Sequence, residues 1–130
     1  MKIVILNIME IKNQFFVKFK SEYGEITGEW MNGIPMLNHT YDVEFDSDIK
    51  LKYNDNIFIS NLNRFAIWMD EGKIVLNGQF DSLENDCLAI RLGGIILLDF
   101  YSNDFDISLN KDNFLKIIVP NIQIYNTNLS

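Results

Sequence analysis

Residues 40–48, TYDVEFDSD, carry carboxylates at alternate positions: Asp42, Glu44, Asp46 and Asp48. Carboxylates can ligate a hard cation, work as an acid–base pair, or dock a basic partner. Alternate residues of an extended chain stand about 6–7 Å apart. Calcium needs every ligand oxygen at about 2.3–2.6 Å, so a row on one strand cannot close around a single ion. SNDFDISLNKD, residues 102–112, adds Asp104, Asp106 and Asp112. It lacks the mid-loop Gly and the closing Glu of an EF-hand. No metal site is expected, and nothing selects one carboxylate pair as a glycosidase-like acid and base.

The chain has a single Cys, Cys87, and a single His, His39. Such a pair can form a nucleophile–base dyad. Cys87, however, lies in the strand-like DCLAIRL, where Cys usually serves as a small buried hydrophobe. His39 lies in a loop beside Asn38. No G-x-S-x-G, no C-x-x-C and no phosphate-cradling Gly loop is present. No catalytic residue and no cofactor are expected, and the protein is not read as an enzyme.

Charge narrows the partners. Acids outnumber bases 18 to 11, for a net charge of −7 over 130 residues. That balance opposes phosphate backbones and anionic lipid, and favours cationic partners. KNQFFVKFK (12–20) is the one stretch with aromatics interleaved among bases, and it reads as an edge strand guarded by lysines. Neither nucleic acid nor a membrane is expected as a partner. A lone cysteine allows no internal disulfide. The first apolar run, IVIL, is too short for a signal-peptide core, and LGGIILL (92–98) stops at Asp99, far short of a bilayer span. A cytoplasmic location is expected.

The elements that must position the carboxylates have a period of two, not 3.6. Phe15, Val17 and Phe19 alternate with Phe16, Lys18 and Lys20. In GEITGEW, Glu25, Thr27 and Glu29 face one way and Ile26, Gly28 and Trp30 the other. After the loop MNGIPMLNH, the acidic strand places Asp42, Glu44 and Asp46 opposite Tyr41, Val43 and Phe45. Strand-like segments follow at 56–60, 64–69, 73–80, 87–92, 95–100 and 114–125, the last interrupted by Pro120-Asn121. Asp70-Glu71-Gly72 and Gly93-Gly94 read as hairpin turns, the latter a two-residue type I′ turn. Short strands with turns at intervals of about ten residues indicate a sandwich or barrel. The expectation is one all-β domain over residues 1–130, a barrel or sandwich of OB-like size. It would have nine or ten short, mostly antiparallel strands. Trp30 reads as core. Trp68, on the mixed face of RFAIWM, reads as core or as an interface anchor, a role for which Trp is favoured.

GEITGEWMNGIPMLNHTYDVEFD, with Trp30, Gly33, Pro35, Tyr41, Val43 and Glu44, carries a resemblance. With GQFDSLENDCLAIRLGGIILLDF and VPNIQIYN, it resembles the small all-β immunity proteins of bacterial polymorphic-toxin and contact-dependent growth inhibition systems. The resemblance implies a small, acidic, cytoplasmic protein that binds one cognate toxin domain, frequently a nuclease, and blocks it. Asn38 departs from the pattern, standing where a small turn residue, often Gly, is expected. On this reading the partner-binding residues are Asp42, Glu44, Asp46 and Asp48, followed by Trp68, Asp104 and Asp106. The alternative is a β-barrel binding module for a small ligand or single-stranded nucleic acid, with the acidic row a solvated face. A strand edge offers a further binding mode, β-augmentation.

Overall fold

A computed structural model describes residues 1–102 and 108–127. Among these residues eleven strands run in the order β1 (Lys2–Ile11), β2 (Gln14–Ser21), β3 (Gly24–Trp30), β4 (Thr40–Asp46), β5 (Ile57–Ile59), β6 (Ala66–Asp70), β7 (Lys73–Glu84), β8 (Cys87–Arg91), β9 (Ile95–Asp99), β10 (Phe114–Val119) and β11 (Gln123–Asn126). The fold is all-β, as the period-two patterning predicts. Among the described residues no helix is long and apolar enough to cross a membrane.

Five strands close a barrel in the order β1-β2-β3-β11-β4, with β4 returning to β1. Every pair is antiparallel except β3 with β11, where Gln123 and Ile124 run parallel to Glu29 and Trp30. The alternation read from the sequence sets the inside. Val17, Phe19, Ile26, Trp30, Val43 and Phe45 are buried, while Lys18, Lys20, Glu25 and Thr27 face water. Gly28 shares that inner face, and β11 presses close enough to leave no room for a side chain. A Cβ there would stand 2.7 Å from Ile124 Cδ1.

The remaining strands form a second sheet in the order β5-β10-β7-β8-β9, with β6 pairing the first half of β7. The long β7 serves two neighbours in succession along one flank. It pairs with β6 up to Asn77 and with β8 from Gln79, with a register shift between Phe80 and Ser82. Three hairpins use two-residue turns with both residues at positive φ: Lys12-Asn13, Glu71-Gly72 and Asn85-Asp86. That is the type I′ geometry whose twist matches the flanking strands. β6 lies against β3, and the Ile67 N–H donates to the Tyr23 carbonyl at 2.9 Å. Barrel residues Ile3, Phe19 and Phe45 and sheet residues Leu76, Ile90 and Leu115 belong to one buried cluster.

Three sequence expectations change in detail. The segment 114–125 is two strands in different sheets, because Pro120 breaks the ladder and redirects the chain from β10 to β11. KNQFFVKFK is not an edge: from Phe15 onward β2 pairs with β1 and β3 on both sides. Gly93-Gly94 belongs to a three-residue connection, Leu92-Gly93-Gly94, because Arg91 is opposite Ile95. Both glycines hold positive φ, 66° and 132°.

Candidate protein-docking face

β4 is extended because Tyr41, Val43 and Phe45 have a barrel interior to fill. Burying that face forces Asp42, Glu44 and Asp46 outward, and all three are exposed. Their immediate cross-strand neighbours supply little compensation. Lys2 lies opposite Asp42, Tyr125 opposite Glu44 and Gln123 opposite Asp46. Among the described residues no basic nitrogen comes within 4.0 Å of the Asp42, Glu44 or Asp46 carboxylates. Asp46 Oδ1 accepts the Ser47 N–H at 2.8 Å. Neighbouring carboxylates about 7 Å apart repel by roughly 0.6 kcal/mol in water, before salt screening. Among the described residues Lys2 is thus the one base directly across from the row, at its Asp42 end, and Glu44 and Asp46 have no basic cross-strand partner.

Beside this row the surface turns apolar. β9 approaches β4, and a furrow of about 340 Å³ lies between them, lined by Glu44, Phe45, Asp46, Ile95, Leu97 and Tyr125. Ile95, Leu97 and Tyr125 are 51%, 57% and 38% exposed, high values for side chains of this type. A smaller hollow of about 180 Å³ shares Glu44, Phe45 and Ile95 and continues toward Met1 and Gly93. The face thus pairs a carboxylate lip with an apolar wall. That combination suits long cationic side chains, whose stems are apolar and whose heads are charged.

The other predicted site residues divide. Asp48 is exposed just past the end of β4, and its Oδ2 accepts from Gln123 Nε2 at 3.0 Å. It extends the row while helping to hold β11. Trp68 is not with the acidic row. It is half-buried on β6 and lines a separate cleft with Phe58, Leu62 and Lys116. Asp104 and Asp106 lie outside the described residues. Cys87 starts β8 half-buried, and His39 is exposed at the barrel end, stacked on Tyr41 with 6.4 Å between ring centroids.

Lys50 and Lys73 do not offset the row. Lys50 sits 3.8 Å from Asp86 and 4.3 Å from the centre of the Tyr101 ring, while Lys73 is opposite Asp70 in the β6–β7 hairpin. Hydrogen bonds from the Ser102 hydroxyl and N–H, helped by Lys50, hold the Asp86 carboxyl below its ordinary range. That cluster fixes the β7–β8 turn to the end of β9, where the Phe100 N–H also donates to the Asp86 carbonyl at 2.8 Å.

Ile95, Leu97 and Tyr125 are the face residues that the sequence reading passed over. For Ile95 and Leu97 the signal is apolar residues at alternate positions of IILLD with no guarding base. The partnership of β4 with β9 was not legible, since it joins segments fifty residues apart in different sheets. No protein-family model, no curated protein and no solved structure matches the chain.

Proposed function

We propose that this protein is a non-catalytic immunity protein. It binds a cognate, basic, nuclease-type toxin domain in the cytoplasm and blocks it with the outer face of β4. The observation that carries this reading is the acidic row Asp42, Glu44 and Asp46, free of close ion pairs among the described residues, beside exposed Ile95, Leu97 and Tyr125. A row optimised for folding alone would be interleaved with lysines. Left negative, it speeds encounter with a cationic protein and selects against anionic ones. The nucleic-acid alternative has less support. The outer face of β2 and β3 mixes Phe16, Lys18 and Lys20 with Glu25 and Glu29, and Lys18 already lies 3.9 Å from Glu25.

The test is capture of partners from lysate of the source organism, with wild type beside one variant carrying Asp42→Lys, Glu44→Lys and Asp46→Lys. Three exposed contacts at about 0.2–1 kcal/mol each, replaced by repulsion, predict at least roughly tenfold weaker binding to the captured basic domain. The wild-type complex should also weaken steeply with salt. Unchanged affinity in the folded variant refutes the reading. Recovery of single-stranded nucleic acid instead of a basic protein transfers support to the alternative.

A further inference from the structure

Among the described residues β9 is the last strand on its side of the second sheet, and along Ile95–Leu98 it pairs only with β8. Outer strands are normally guarded by Lys, Pro, a bulge or extreme shortness. β9 has none of these over Ile95–Leu98. Only its far end is covered, where the Leu51 N–H donates to the Asp99 carbonyl at 2.7 Å. β5, at the opposite end of the sheet, is only three residues long. The unguarded edge of β9 borders the furrow. The furrow is also where the carboxylates stand, so an edge that would attract any strand is selective for a cationic one.

We infer that β9 is the docking edge for the cationic partner, whose contacting segment adds to Ile95–Leu98 as a further strand lying in the furrow. This rests on the acidic-face reading above and specifies the partner's chemistry. The segment alternates basic and apolar residues. Its outward Lys or Arg side chains lay their stems on Ile95 and Leu97 and reach Glu44 and Asp46 with their charged heads. Its inward side chains are small and apolar and face Phe45. Main-chain hydrogen bonds to β9 give affinity, and the alternating side chains give specificity.

The probe is a synthetic acetylated and amidated peptide of four Lys-Val repeats, added to the intact protein. Binding is followed by fluorescence anisotropy, and amide hydrogen exchange by NMR. The expected result has two parts. Saturating peptide slows exchange at the outward-pointing amides of Ile95–Leu98 by at least about tenfold, and Leu97→Lys weakens binding by about the same factor. Leu97 is exposed, so that substitution leaves the core untouched. Suppose instead that binding leaves those amides at their free rates yet is lost in the Glu44→Lys, Asp46→Lys variant. That result overturns strand addition while the acidic face stands. Binding indifferent to both sets of substitutions overturns both. No binding at millimolar peptide overturns the strand-addition inference, and the lysate capture then judges the acidic face separately.

Discussion

Gly24→Ala should break the joint between barrel and sheet. Gly24 holds φ at +142°, and a Cβ there would stand 1.9 Å from the carbonyl oxygen of Ile67. Ordinary contact begins at 3.4 Å, so β3 and β6 must separate locally by about 1.5 Å. The neighbouring hydrogen bond from the Ile67 N–H to the Tyr23 carbonyl is then stretched or lost. Three costs combine: backbone strain of about 1–3 kcal/mol, overpacking of about 1–3 kcal/mol and a hydrogen bond of about 1 kcal/mol. Gly94→Ala separates these terms. Gly94 has a similar φ, +132°, but a Cβ there meets nothing within 4 Å. It carries the strain without the clash. Urea denaturation monitored by tryptophan fluorescence should place Gly24→Ala about 2–4 kcal/mol below Gly94→Ala. Its melting temperature should be lower by roughly 10 °C. Equal destabilisation of the two variants would refute the claim that this contact joins barrel to sheet.

Further substitutions probe the supports around the face. Asn77 is fully buried, and its Nδ2 donates to the Leu62 and Arg64 carbonyls at 2.9 and 2.7 Å. Asn77→Ala should cost about 2–3 kcal/mol in urea titration, and a loss under about 0.5 kcal/mol would deny that these bonds hold the approach to β6. Asp86 has a folded pKa below its ordinary 3.8. The ionised form therefore adds stability that is present above that value and is lost as pH falls through the folded pKa. The urea midpoints of wild type and Asp86→Asn should differ at pH 7 and converge in acid, whereas a constant gap removes the carboxylate from the account. Asn38 sits at φ 65° and donates its N–H to Ile5 at 2.8 Å. Asn38→Gly should be nearly neutral by thermal melting and Asn38→Val should cost about 1–3 kcal/mol, so equal melting temperatures would argue against a conformational requirement there.

Much of the fold was legible because burial on one side leaves a period-two record. β2, β3 and β4 could be read face by face, down to Gly28 pointing inward and Glu44 outward. Asn38 stands where a small turn residue is expected, and its positive φ explains how an Asn fills that place. Illegible features were those that depend on distant segments meeting. Nothing local in QIYN distinguishes a barrel strand from a continuation of the second sheet, so in the sequence β10 and β11 read as one interrupted segment. Lys12-Asn13 lacks the Asn-Gly signature of a type I′ turn, so the β1–β2 hairpin was hidden inside an apparent edge strand. The carboxylate row was evident from spacing alone. Its apolar neighbour β9 was not, because the two strands do not pair and approach only through tertiary packing.

The barrel's closing strand has a consequence for the order of events on the ribosome. β11 fits between β3 and β4, yet all six strands of the second sheet are made before it. At synthesis rates of about 5–20 residues per second, the gap between emergence of β4 and of β11 lasts roughly 4–15 seconds. Throughout that interval β3 and β4 each have an unpaired edge, and the inner faces of both are apolar. The second sheet can assemble from neighbouring hairpins in the meantime, but the barrel cannot. A stalled or truncated chain ending before Gln123 therefore exposes two open strands at once, and nascent chains of this protein should be most vulnerable to proteolysis and mispairing in that window.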